Sequence, residues 1–300
     1  MALQTEIWVS DIKETLYQGS EFVNNSTDDS AFVENKTVHL PQSGTSPAIV
    51  KDRSSLPATI TQRTDSEETY NLAEYTTDPI LITDIDELQT NYAKRSSVLG
   101  QHVSTLNERL GDETAQIWAP EGSAALVLRT TGAATADQPT GTTATRRLVL
   151  KEDIAKMAQK LDSDNMPMND RFLLMPVSMY YELFQVDALI RRDFMDATAL
   201  PTGVINQIFG FNVMVRPTVA LHDGSDAKLA VGATPATNDS FSAIAWHRSG
   251  VRKALGSIKV FADEDKPEYY GSVFSALIMH GARQSRTGST GVIALSQGVV

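Results

Sequence analysis

The chain has 300 residues, 41% of them hydrophobic, a formal charge of −11 and no cysteine. The missing cysteines exclude disulfides, cysteine nucleophiles and thiolate metal sites. The acidic excess has the wrong sign for a sequence-specific DNA-binding module, whose basic face must offset phosphate charge; it suits either plain solubility or a wall that contains nucleic acid without gripping it.

In chain order, the first segment is Met1-Ala2-Leu3-Gln4-Thr5-Glu6 onward. It has neither the basic start nor the apolar run of a secretory signal, so use in a cytoplasm is expected. Ile7, Trp8, Ile12 and Leu16 fall at near-helical spacing and predict a short amphipathic helix ending at Gly19. Ser20 to Lys36 is polar, with isolated anchors at Phe22, Val23, Phe32 and Val33. An extended arm crossing another surface and an ordinary N-terminal loop both fit. From Thr37 to Thr83 two strand-like runs, around Val38 and Leu40 and over Thr69 to Tyr75, flank a long polar middle. That is the signature of a large hairpin. With so few apolar anchors it cannot stabilise itself in isolation. It must rest on something else, either the same subunit or a neighbour.

The clearest helix is predicted from about Asp84 to Leu110. Its apolar stripe is Ile85, Leu88, Tyr92, Leu99, Val103, Leu106 and Leu110. Thr83 or Asp84 provides the cap and Gly111 the stop. A scaffold spine under a sheet fits this stripe; a coiled coil is the competing reading. A strand is predicted over Ala124 to Arg129, then a flexible Thr/Ala/Gly-rich loop over Thr130 to Thr145. Helices are predicted over Glu152 to Leu161 and Val177 to Phe184. Strands are predicted over Phe172 to Met175, Phe211 to Val215, Phe241 to Trp246, Lys259 to Phe261 and Ser272 to His280. A Gly- and Asp-rich loop spans about Thr218 to Asn238. No stretch approaches the ~18–20 consecutive apolar residues of a membrane helix.

No chemistry-bearing motif emerges. His39, His102, His222, His247 and His280 form no helical metal pair with an intervening carboxylate. His102 reads as an edge residue of the long helix. Asp162-Ser163-Asp164-Asn165 fails as a calcium loop, because its sixth and twelfth positions hold Pro167 and Leu173 rather than Gly and Glu. Gly288-Ser289-Thr290-Gly291 has the wrong spacing and flanks for a nucleophile elbow. Gly203 and Gly210 make no dinucleotide fingerprint, and no phosphate-cradling loop is present. The densest basic cluster runs from His247 through Arg248, Arg252 and Lys253, with Arg191 and Arg192 elsewhere. Phosphate contact and pairing with acidic neighbours are both open to it. Without interleaved aromatics it does not read as a nucleic-acid module, and a subunit contact or solvated face is expected. No catalytic, cofactor-binding or metal-ligating residue is nominated, and no cofactor.

Several stretches carry a resemblance: Ser54 to Thr59, Glu74 to Pro79, Arg171 to Leu183, Gly203 to Val213, and Ala243 to Val251. With the order arm, hairpin, spine helix, mixed α/β region and late strands, the chain resembles tailed-bacteriophage major capsid proteins of the Hong Kong 97-like fold. The resemblance implies an α+β chain with an N-terminal arm (1–36), an E-loop (37–83), a peripheral domain (84–146 and 257–300) and an axial domain (147–256). It implies a structural protein rather than an enzyme, which self-assembles as hexamers and pentamers into an icosahedral shell around double-stranded DNA. In that reading the E-loop lies over an adjacent subunit, and residues Thr37 to Thr83 and the first ~35 residues are expected to bury much of their apolar surface between subunits. The implied partners are other copies of the chain, a portal protein, possible decoration proteins and, because no long leading segment precedes the arm, a separate scaffolding protein. Packaged DNA is touched only non-specifically and no membrane is involved. The implied location is the virion, after assembly in the host cytoplasm. Lys51 lies in the E-loop segment, but no Asn and acid partner match a crosslink, and none is expected. The rival readings are an encapsulin-like nanocompartment shell and a soluble α/β enzyme.

Overall fold

The computed structural model describes residues 20–42, 49–54, 57, 60, 62, 65–83, 94–183, 207–285 and 289–300. The helix expected over the first 19 residues lies outside them, as do residues 84–93 of the expected spine helix, with Asp84, Ile85, Leu88 and Tyr92, and Arg191, Arg192 and Gly203. In chain order the first strands are β1 (Thr27–Asp28), β2 (Val33–Glu34), β3 (Thr37–Gln42), β4 (Ser66–Asn71), β5 (Ala73–Thr76) and β6 (Ile80–Thr83). Helix α1 (Lys94–Trp118), β7 (Val127–Arg129), α2 (Lys151–Ser163), β8 (Arg171–Pro176) and α3 (Val177–Leu183) follow. Then come β9 (Gln207–Ile208), β10 (Phe211–Arg216), β11 (Ala220–His222), β12 (Ser240–His247), β13 (Val251–Lys266), β14 (Gly271–Gln284) and β15 (Val292–Ser296).

A seven-stranded mixed sheet runs β7-β15-β12-β8-β10-β9, with β11 on β12. Its strands β8 and β15 are buried at every position, which explains why Phe172-Leu173-Leu174-Met175 reads as a continuous apolar run. The two-residue alternation of a strand sorts these side chains between two cores. Leu173 and Met175 face α2 and α3, packing with Ile154, Met157, Leu161, Met179 and Leu183. Phe172 and Leu174 face the other way, towards Trp118 and Ala115 at the end of α1 and towards Phe22 and Val23.

The second sheet is built on the long antiparallel hairpin β13–β14, with β1, β5 and β6 on its edges. Bulges between Leu255 and Ile258 and between Asp263 and Lys266 interrupt its register. Helix α1 lies across it, as a spine should, with Leu106 and Leu110 on Ile258, Ala276 and Ile278. At ~1.5 Å per residue α1 is about 38 Å long. The third sheet, β2-β3-β4, contains the hairpin expected from the alternating Val38 and Leu40, paired from Thr37↔Asn71 to Gln42↔Ser66.

Four expectations need correction. Gly111 does not stop the spine helix, which runs seven residues further to Trp118. A Cβ at Gly111 would lie 2.0 Å from Arg216 Nη1 and 2.3 Å from Ser20 Oγ; the glycine is there to admit these neighbours. Phe22 and Val23 are buried in this chain's own core, and Val38, Leu40 and Leu72 pack on its Ala254. Both are therefore covered within the subunit: the arm root as a lid on the second face of the seven-stranded sheet, and the hairpin root against β13 of the other sheet. The Thr130 to Thr145 loop is held down rather than loose. Thr131 donates to Asp153 from both its N–H (3.0 Å) and Oγ1 (2.8 Å), and Gln297 Nε2 donates to Asp137 O (2.8 Å). Finally, Val292–Ser296 is a central strand that sequence reading passed over. Strands β7 and β15 join β8, β10 and β12 in one sheet, and β13 begins at Val251 in the other.

The buried Glu182 of α3 accepts hydrogen bonds from Val149 N–H (3.0 Å) and Gln297 Nε2 (3.4 Å). Burial outweighs these bonds and raises its pKa to about 7.

Two predictions follow from this packing. Gly111→Ala should destabilise the subunit by about 1–3 kcal/mol through overpacking, whereas Gly100→Ala, in the same helix with nothing within 4 Å, should stabilise it by about 0.5–1 kcal/mol. Denaturant midpoints of the two variants read this contrast, and equal shifts would refute it. For Glu182, a folded pKa above the unfolded one means the folded state holds the proton more tightly. The stability that Glu182 contributes is therefore fully present below about pH 4.5 and is lost as pH rises through about 7. Glu182→Gln should match wild type at pH 4 and exceed it by roughly 2–3 kcal/mol at pH 8. Thermal unfolding of both proteins across that range tests this, and a pH-independent gap would count against it.

Candidate functional site

The described residues hold no group of three or more His, Asp or Glu side chains able to bind a metal ion. The histidines are dispersed. His39 pairs with Glu67 across the exposed β3–β4 ladder (2.5 Å). His222 lies fully buried between Ser242 Oγ and Pro120 O, both at 2.8 Å. Burial alone lowers the pKa of His102 in α1. His280 is lowered to about 4, by burial first and then by Lys253. The burial of His102, His222 and His280 favours the neutral ring, as in a structural histidine.

What the chain does present is surface that a lone subunit would not leave open. At the β3–β4 hairpin tip, Ile49 and Ile60 are 97% and 96% exposed, and Val50 is exposed beside Ile49. At the turn of β13–β14, Tyr269 and Tyr270 are exposed, the latter by 74%. Exposed apolar residues displayed singly are ordinary, but adjacent ones, Ile49 with Val50 and Tyr269 with Tyr270, are candidates for a contact surface. The expected E-loop segment contains the first tip. The tyrosine turn was missed, although Pro267 between two strand-like runs and two adjacent tyrosines was a readable signal.

Buried joints seat the arm root against α1, β10 and β12. Arg216 Nη1 donates to Ser20 Oγ (3.2 Å), and its Nη2 reaches Glu108 O (2.9 Å) and the Asp112 carboxylate (3.0 Å). The same guanidinium lies 5.4 Å above the Phe22 ring. Phe22, Trp118 and Trp246 form a mutual cluster with centroids 5.4–6.3 Å apart, an arrangement worth about 0.5–1.5 kcal/mol per pair beyond burial. Trp246 Nε1 donates to Asn25 O (2.9 Å).

The basic cluster resolves into separate roles. Arg252 pairs with the buried Asp29 (2.8 Å), Lys253 Nζ donates to Asn24 Oδ1 (2.7 Å), and His247 Nδ1 meets Ser249 Oγ (2.8 Å). Pairing with acidic and polar neighbours within the chain is thus realised for Arg252 and Lys253. They hold the arm, and the solvated face or subunit contact expected for them is corrected. A cleft of about 530 Å³ beside them is lined by Asp28, Asp170, His247, Arg248 and Lys253, so both signs of charge meet there. Asp29 carried no signal in sequence: it is one acid among several in a polar stretch.

The sequence matches the phage capsid protein family over residues 18–296. No curated protein matches it. Among solved structures, the capsid of the cyanophage P-SCSP1u is similar at 18% identity, over 91% of this chain and 86% of that one, with a TM-score of 0.67. A chain of Mycobacterium phage Che8 is similar at 19% identity, over 91% and 90%, with a TM-score of 0.65. A virus-like particle from Pyrococcus furiosus is similar at 12% identity, over 97% and 99%, with a TM-score of 0.54. At such identities the structures speak for the fold, and the family match speaks for membership. The overall fold is that of solved phage capsid proteins, and the chain belongs to the phage capsid protein family: it is a capsid shell protein, a component of the virion.

Proposed function

We propose that the chain is the major shell subunit of a tailed-phage head, forming hexamers and pentamers that close an icosahedral shell around double-stranded DNA. The observation that carries this reading is the near-complete exposure of Ile49 and Ile60 at the tip of a hairpin whose root is packed. An apolar tip held out on an anchored stem is suited to cover an adjacent subunit. In this reading residues 1–36 are the arm and 37–83 the E-loop. The β13–β14 sheet with α1 forms the peripheral body, and the seven-stranded sheet forms the axial body at the capsomer centre. Assembly takes place in the host cytoplasm with a separate scaffolding protein and a portal, and decoration proteins have the outer face available. The −11 charge favours containing DNA by non-specific contact over binding it. The role is structural, with no catalysis assigned.

A second reading, a nanocompartment shell around protein cargo, draws on the Pyrococcus furiosus virus-like particle, which matches nearly end to end with a lower TM-score.

Electron microscopy of the chain co-expressed with its neighbouring genes tests both. Closed shells of hexamers and pentamers filled with DNA are expected; shells filled with a protein cargo would favour the second reading, and only small soluble particles would overturn both. Ile49→Asp with Ile60→Asp should leave subunit stability within about 0.5 kcal/mol, as exposed substitutions do, yet abolish shell closure. Normal shells from this double variant would remove the hairpin tip from the assembly surface.

A further inference from the structure

Beside the β2–β3 ladder, one buried side chain joins the arm, the hairpin and β13. Asp29 is buried, and its carboxylate is shared. Oδ1 accepts from Arg252 Nη1 of β13 (2.8 Å), and Oδ2 accepts from the Tyr70 hydroxyl of β4 (3.2 Å). Its own N–H donates to Lys253 O (2.8 Å), continuing the parallel ladder Thr27↔Arg252 and Asp28↔Lys253. Arg252 is itself held by its Nε donating to Ser285 Oγ (2.9 Å). Beside it, Leu255 N–H donates to Ser30 Oγ (2.9 Å).

We infer that Asp29 is a positioning residue that locks the N-terminal arm and the β3–β4 hairpin to each other and to β13, so that the hairpin cannot swing while the arm stays seated. The chemistry is specific. An ionised carboxylate has two oxygens, and here each serves a different element. If the arm peels from β13, the acceptor leaves with it and the Tyr70 hydroxyl loses its partner in a half-buried site, a costly state for a polar group. Burial and the adjacent Asp29 charge raise the Tyr70 pKa, so the hydroxyl stays protonated and remains the donor. The other ties of the hairpin are of different kinds. The arm also joins β3 through the short β2–β3 ladder, and Leu72 N–H donates to Lys36 O (2.8 Å). Against β13 and β14, Val38, Leu40, Leu72 and Ala254 form an apolar cluster without direction, and Arg283 pairs with Glu68 near the surface. The Tyr70–Asp29–Arg252 bonds tie β4 to β13 directionally through the arm.

The lock stands on this geometry alone, while its use in shell building rests on the function proposed above. Tyr70→Phe is the clean test, because it keeps the ring in the apolar cluster and removes only the hydroxyl. In hydrogen exchange of the full-length unassembled subunit, residues 66–71 of the variant should exchange about tenfold faster than in wild type, the effect of one lost buried bond on a local opening. Asp29→Ala should release residues 27–34 as well, and adding Tyr70→Phe to it should change nothing further, since the tie is already gone. Unchanged exchange at 66–71 in Tyr70→Phe overturns the lock even if Asp29→Ala fails to fold. So do multiplicative effects in the double variant. Where wild type assembles, Tyr70→Phe should give open or irregular shells. Normal closure despite fast exchange would overturn the assembly role and leave the lock intact.

Discussion

A sheet buried on both faces must be covered on both faces, and the rest of this subunit is arranged around that constraint. Helices α2 and α3 supply one cover. The other is assembled from distant parts of the chain: Phe22 and Val23 of the arm, Trp118 at the end of the spine helix, and Trp246 of the sheet itself. Full burial of each large side chain contributes about 1.5–3 kcal/mol, so the cover is a substantial share of a marginal total of about 5–15 kcal/mol. The arm root is thus part of the core as well as a projection. Gly111 follows from the same constraint, because the spine helix must come close enough for Trp118 to reach the sheet while Arg216 and Ser20 pass between. The helix gives up the ~1 kcal/mol propensity advantage of alanine there in exchange for that approach.

A division of labour between root and tip results. Apolar residues near the body, such as Val38, Leu40, Leu72 and Ile82, are satisfied inside the chain. Those at the ends of the projections, Ile49, Ile60, Tyr269 and Tyr270, are not. Were the whole hairpin unsupported, its orientation would be ordered only on contact, and that ordering would be charged against association. A seated root places the tip beforehand, so the apolar surface it offers is spent on contact rather than on ordering.

Much of this was legible in the sequence, for identifiable reasons. Strands buried on both faces read as continuous apolar runs, the hairpin strand Thr37–Gln42 as alternation, and the spine as a helical stripe. The glycine at position 111 was read through its commonest role at a helix end, whereas its actual role depends on Arg216, over a hundred residues away. The internal burial of Phe22 was invisible for a similar reason: two apolar residues in a polar stretch look alike whether the surface they meet belongs to the same chain or to the next. Val292–Ser296 was passed over because a five-residue strand among glycines and serines has too little length to show a period. The hairpin tip was placed by resemblance to a family and by the length of its polar middle, while the joint at Asp29 requires three elements to be brought together in space.

The buried charges share one feature. Arg216 with Asp112 and Ser20, Arg252 with Asp29, and the fully buried Arg146 donating to the carbonyls of Thr237 and Asp239 (2.8 and 2.7 Å) each join segments far apart in sequence. Desolvation offsets most of the Coulombic gain of such groups, so net stability is a poor reason for their presence. Their geometry is the better reason. An apolar cluster tolerates small shifts of one element against another, whereas a guanidinium shared among three acceptors tolerates few. A closed shell repeats one subunit geometry many times, so an angular error at the root of a projecting hairpin or arm is repeated at every contact. Directional bonds at the roots and non-directional apolar surface at the tips meet these two demands separately: the first fixes where the contact surface points, and the second supplies the attraction once it arrives.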